Sequence, residues 1–242
     1  MDKNIGFNRN ILLPWLDAAA SSVAATNDAS EIRRRLESVV GQTIASRENR
    51  RKAIDILIHI WVKTASEAPE LHAEAVQRFQ DAASPGDRLW LHYGLTLVAY
   101  PFFREVAAAI GQLARNQDRI TPGVVKQRLA AERGPLGSMR KAVERVIFSL
   151  RDWGLLSRSG RADEYAVGPK APAASSKDVE KWLLACALYA HPGDEVPFID
   201  LVRLPELFPF QFSIGMDDLR GNGRFALQRH GEAWDGVRLV SG

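Results

Sequence analysis

Arg140, Lys141 and Arg145 fall within six consecutive positions of one helical pattern, and they are the side chains here whose types and spacing best suit a chemical task. The task is binding. Long cationic stems reach phosphate oxygens across several ångströms, and an arginine fork can take two acceptors of one guanine at once. Ser138 stands just ahead of them, where a hydroxyl caps a helix and donates to a phosphate. Lys126 and Arg128 occupy a preceding helix, in the position of backbone contacts, and Arg158 and Arg161 flank Gly160 in a polar loop that can reach phosphates or a minor groove.

Covalent chemistry has no comparable signal. There is no nucleophile elbow, and Gly221-Asn222-Gly223 lacks the Lys and Ser/Thr that complete a phosphate loop. Asp217-Asp218 is the best carboxylate pair, but adjacent helical residues point about 100° apart. His59, His72, His92, His191 and His230 are scattered, without ligand spacing or cysteine partners. The expectation is a protein that is not an enzyme and that needs no cofactor and no metal.

The elements that must carry these residues read as a winged helix-turn-helix from Ile120 to Val167. A short helix (Thr121 to Glu132), a Gly/Pro turn (Arg133 to Gly137) and a long helix (Ser138 to Trp153) are followed by a stop at Gly154-Leu155-Leu156. A polar loop then returns through Tyr165-Ala166-Val167. In the long helix Met139, Val143, Val146, Ile147, Leu150 and Trp153 share one apolar stripe. Ser138, Arg140, Lys141, Glu144, Arg145, Ser149 and Arg151 are left on the outward face, which is basic in the half that such modules insert toward base edges.

Charge placement favours the same segment. Residues 1–114 carry 13 Lys/Arg against 13 Asp/Glu, residues 115–170 carry 12 against 6, and residues 171–242 carry 7 against 10. The net +6 of the middle segment suits phosphate contact. In the last segment Glu206, Asp217 and Asp218 predict repulsion of phosphates and a role in protein contact or in bracing the fold.

The flanking segments complete a mainly α fold class: an N-terminal helical domain (1–115), the winged helix-turn-helix (116–170) and a C-terminal winged-helix-like module (171–242). In the first, Pro14 suits the first turn of a helix over Trp15 to Ala25, a second helix runs from Ser30 to near Gly41, and Ser46 caps a third bearing Ile54, Leu57, Ile58 and Trp61. A fourth spans about Glu67 to Ala82, Asp87 caps a fifth (Arg88 to Tyr100), and Pro101 restarts the chain into Phe102 to Gln117. Gly168 to Ser176 has the Pro/Ala/Ser composition of a linker. After it come helices at Ser176 to Tyr189, Phe198 to Leu207 (interrupted at Pro205) and Ser213 to Leu219, then a hairpin whose turn spans His230 to Gly236.

Arg33-Arg34-Arg35 and Arg50-Arg51-Lys52, diluted by Glu31, Glu37 and Glu48, read as solvated faces, with a second phosphate-contacting surface as the alternative. The six tryptophans sit among apolar neighbours and read as core or domain-contact residues. Cys186, the single cysteine, reads as a small buried side chain. With no signal h-region, and no run near the roughly 20 apolar residues that cross a bilayer, the expectation is a soluble cytoplasmic protein with no membrane partner.

Three stretches bear a further likeness: Arg50-Arg51-Lys52-Ala53-Ile54, then Gly86-Asp87-Arg88 leading to Phe102-Phe103-Arg104-Glu105-Val106, and the run from Arg140 to Leu156. Over roughly residues 45–170 the chain resembles the BrxA family, helical accessory proteins of BREX phage-defence operons. The resemblance implies double-stranded DNA as partner, an accessory part in antiviral defence and work beside larger defence or regulatory proteins, with no catalytic residues. The alternative is a docking or scaffold subunit of such an assembly, without direct DNA contact.

Overall fold

Prolines and short polar residues set the helix starts in the first half of the chain, and the computed structural model shows what each does. The structure describes residues 6–81, 84–134, 139–161, 163–168, 171–230 and 234–240. Helix α1 (Leu13–Ala25) carries Pro14 in its first turn, where a missing N–H breaks no helical bond. Asp28 caps α2 (Ala29–Gly41) by accepting the Ser30 amide, and Ser46 caps α3 (Arg47–Ile58) by accepting that of Asn49. The stripe Ile54, Leu57, Ile58 and Trp61 is buried as its spacing predicts. The helical path continues past α3 through a π-helical turn (His59–Lys63) into the short α4 (Thr64–Glu67).

Helix α5 (Pro69–Asp81) begins at a proline rather than at Glu67, and α6 (Pro85–Ala99) corrects the expected cap. Ser84, not Asp87, caps α6: its hydroxyl accepts the Gly86 amide at 3.1 Å, and Pro85 takes the first position. Asp87 is left inside the first turn, buried, where it accepts the Ser175 amide at 2.8 Å. Tyr100 is extended, so the chain restarts at Pro101 as α7 (Pro101–Ala114).

Thr121 caps α8 (Pro122–Arg133), and α9 (Met139–Asp152) follows. Gly154, at φ +77°, turns the chain out of α9. Strand β1 (Leu156–Arg158) then pairs antiparallel with β2 (Tyr165–Val167), from Leu156 opposite Val167 to Arg158 opposite Tyr165. Ile120, just before α8, exchanges two backbone hydrogen bonds with Tyr165 at 2.7 and 2.8 Å and forms an isolated antiparallel bridge to β2.

The expected linker is fastened down. Ala171 donates to the Pro209 carbonyl at 2.8 Å, the Pro172 carbonyl accepts the Trp90 indole N–H at 2.8 Å, and Ser175 is held by Asp87. Composition shows a segment poor in its own apolar anchors; it cannot show that neighbours supply the polar ones. Helix α10 (Lys177–Ala190), β3 (Val196–Pro197), α11 (Phe198–Leu201), a 3-10 turn (Pro205–Leu207) and α12 (Met216–Leu219) follow. The helix expected over Phe198 to Leu207, with its interruption at Pro205, ends earlier, at Leu201, and the 3-10 turn starts at Pro205. Strands β4 (Phe225–His230) and β5 (Trp234–Leu239) pair as far as His230 opposite Trp234, so His230 and residues 234–236, expected in the turn, lie in the strands. The sheet order is β3-β5-β4, all antiparallel.

The protein is mainly helical, with two small sheets among the described residues, and one buried apolar core runs through all three segments. Trp15, Trp61, Trp90, Trp153 and Trp182 are all buried, and several tie distant segments together. The Trp153 indole donates to the Ile11 carbonyl, and the Trp182 indole to the Leu71 carbonyl, each at 3.0 Å. Helix α10 packs on α6 closely enough that a Cβ at Gly94 would lie 2.4 Å from the Trp182 ring. Cys186 is buried in the same contact, where desolvation pushes its thiol well above the ordinary range. Among the described residues no helix is long and apolar enough to cross a membrane.

Candidate nucleic-acid interface

Helix α9 owes its orientation to its apolar stripe. Met139, Val143, Val146, Ile147, Leu150 and Trp153 are all buried, which turns Arg140, Lys141 and Arg145 to solvent. Arg140 and Glu144 sit one turn apart and pair at 3.0 Å. Lys141 and Arg145 form the neighbouring ridge, about 100° around the axis. Lys141 has no carboxylate partner among the described residues, and no acidic residue occupies the first turn of α9, the end where the helix dipole favours an anion. Ser138, the expected cap and phosphate donor, lies outside the described residues.

The outward face is narrower than expected. Ser149 is fully buried: its hydroxyl accepts the Ile11 amide at 2.9 Å and donates to the Arg145 carbonyl at 3.0 Å. The reason is tertiary, because the N-terminal stretch crosses this flank of α9 and Leu13 donates to Asp152 at 2.7 Å. Arg145 sits at the edge of that crossing, donating to the Asn10 side chain at 3.1 Å. Arg151 is half-buried with its guanidinium 4.5 Å above the Phe148 ring, so stacking, not open solvent, takes it.

Lys126 and Arg140 come together. They line a groove of about 480 Å³ between α8 and α9, together with the carboxylates of Glu144 and Asp163. Arg128 does not join them; it faces α7, where it donates to Gln112 at 2.5 Å. Arg158 is exposed on β1, and Arg161 on the turn stands 4.0 Å from Glu164. Arg119 also reaches Glu164, at 3.2 Å, which adds a cation to the hairpin that sequence reading missed. Its one local signal is its place beside Ile120, the residue that bridges to Tyr165. All these ion pairs are surface pairs, worth about 0–1 kcal/mol each.

The C-terminal acidic residues are less available than the charge count suggests. Glu206 is buried, 3.7 Å from Arg104, and presents no charge to an approaching polyanion. Asp218 accepts from Lys177 and from the Gly215 amide, and the Lys177 bond holds its carboxyl below the ordinary value. Asp217 pairs with Arg220 at 2.7 Å.

Four of the five histidines have a partner: His59 has Glu67, His72 the Trp61 carbonyl, His92 Asp17 and His191 Gly193. Among the described residues no group of three or more His, Cys, Asp or Glu could hold a metal ion. No protein-family model, curated protein or solved structure matches the chain.

Proposed function

We propose that residues 116–170 form a winged helix-turn-helix and that the protein binds double-stranded DNA through it, without catalysis. The observation that carries this reading is the exposure of Arg140, Lys141 and Arg145 on the leading half of α9, in the one segment with a large positive excess. The order α7, Ile120 bridge, α8, α9 and β1–β2 hairpin supports it, since that arrangement presents the second helix of the pair to a major groove and the hairpin to the flanking backbone. Lys126 beside Arg140, Arg158 and Arg161 on the hairpin, and Arg119 paired to it through Glu164 supply the phosphate contacts; Arg128, held by Gln112 of α7, is not among them. The resemblance to the BrxA family extends the reading to an accessory part in bacterial antiviral defence.

Fluorescence anisotropy with a generic duplex at several salt concentrations tests the proposal. About five phosphate contacts give a slope of log K against log salt near −4 to −5. Replacing Arg140, Lys141 and Arg145 together by Glu should abolish binding; unchanged affinity in that triple variant would sink the assignment. A protein-docking role is the second reading, favoured by the exposed apolar side chains Tyr189, Ile199 and Val240, all in the C-terminal segment. It takes precedence if the wild-type protein binds no duplex.

A further inference from the structure

We infer that the groove between α2 and the first turn of α3 is a second phosphate-contacting surface, which takes the backbone of the same duplex beyond the stretch covered by α9. The inference rests on the reading of α9 as a duplex-binding helix. Arg33, Arg34, Arg47 and Arg50 line this open groove of about 610 Å³ against a single carboxylate, Glu37. Guanidinium groups on both walls of a channel suit a phosphodiester chain, because each presents a planar fork of donors to the non-bridging oxygens.

Ion pairing argues for a merely solvated face, since Arg33 meets Asp55 at 2.7 Å, Arg50 meets Glu37 at 2.5 Å and Arg34 meets Glu31. Exposure decides against that. The Arg33 and Asp55 side chains remain 45% and 44% exposed and Arg34 78%, so those two pairs contribute about 0–1 kcal/mol and yield to a phosphate. Arg50, half-buried and donating also to the Ile44 carbonyl at 3.2 Å, stays on Glu37 in the groove wall. Arg47 has no carboxylate partner at all among the described residues.

The groove also connects to α9. Arg145 donates to Asn10 at 3.1 Å; the next residue back, Arg9, donates to Asn49 at 3.0 Å; and Asn49 stands in the first turn of α3, two positions after Arg47. Glu48, between Arg47 and Asn49, is taken up by Lys52. A strip of cations and amides therefore runs from Lys141 and Arg145 through Arg9 to Arg47 and into the groove. A duplex on α9 that extends along that strip passes Arg9 and Arg47 before the groove.

The test compares the full-length wild-type protein with R34A/R47A, on duplexes of about 12 and about 30 base pairs, by anisotropy from 50 to 300 mM salt. Each phosphate contact adds about 0.9 to the salt slope. The double variant should lose about 1.8 of slope on the long duplex, equivalent to roughly 60-fold in affinity at 0.1 M salt. It should bind the short duplex like the wild type, and R34K/R47K should retain the long-duplex slope. Both positions are exposed, and matching thermal melts verify that the fold is intact. An unchanged long-duplex slope in R34A/R47A, with the α9 triple variant inactive, overturns this inference and leaves the reading of α9 standing. A wild-type protein that binds neither duplex overturns both.

Discussion

Gly111→Ala probes a close backbone approach between the N-terminal helices and the C-terminal segment, and its sign is the informative quantity. In an open helix the change stabilises by up to about 1 kcal/mol, because alanine is the better helix former. Here the new Cβ would lie 1.9 Å from the Pro205 carbonyl oxygen and 2.9 Å from the Phe208 Cβ. Ordinary carbon–oxygen contacts are about 3.3–3.6 Å, so α7 and the 3-10 turn must separate by roughly 1.4 Å. That turn cannot drift freely. The Pro205 carbonyl accepts the Phe208 amide at 3.1 Å, and the Glu206 carbonyl accepts the Tyr93 hydroxyl at 2.5 Å. Overpacking costs about 1–3 kcal/mol and a weakened Tyr93 bond about 1 more, against the gain of about 1 in propensity. The net is a loss of about 2 kcal/mol, or roughly 4–8 °C in Tm for a chain of this size. Thermal and urea unfolding followed by circular dichroism measure it. Gly123→Ala serves as the contrast: the nearest atom to its Cβ would be 3.7 Å away, so that change should be neutral or slightly stabilising. A rise in Tm for Gly111→Ala would refute the close approach of α7 to Pro205.

Two further outcomes follow from buried polar groups. Ser149→Ala leaves the Ile11 amide without its acceptor and should cost about 1–3 kcal/mol in urea unfolding, with a loss below about 0.5 kcal/mol counting against the crossing of the N-terminal stretch over α9. Burial holds the His92 imidazole below its ordinary 6.5, against an opposing pull from Asp17, so the unfolded chain takes up the proton first; the stability that His92 contributes is complete above about pH 6.5 and declines as pH falls, by up to about 1.4 kcal/mol per pH unit. Unfolding measured from pH 7.5 to 5 should show that decline in the wild type and a flatter profile in His92→Gln, and equal slopes would exclude His92 as its source.

Much of the local architecture was legible because its causes are local. Ser46 and Thr121 accept amides in their own first turns, Pro14 and Pro101 open their helices, and the stripe from Met139 to Trp153 faces the core. The misreadings share one cause. Ser149 has the spacing of an outward residue but is covered by a segment more than a hundred positions away, and Asp87 looks like a cap but serves Ser175. Glu206 counts as surface charge in any tally by segment, yet it lies inside beside Arg104.

The candidate interface divides along the same line. Composition and periodicity alone determined that Arg140, Lys141 and Arg145 face away from the core, because burying the apolar stripe leaves them no other direction. They also determined that positive charge concentrates in residues 115–170. Only the tertiary structure decided which cations share a surface: Lys126 joins Arg140 while Arg128 turns to α7, and Arg9 and Arg47 come into line with Arg145 through Asn10 and Asn49. Periodicity constrains the direction of a side chain about its own helix. It carries no information about which distant helix lies beside it, and that depends on how the whole core packs.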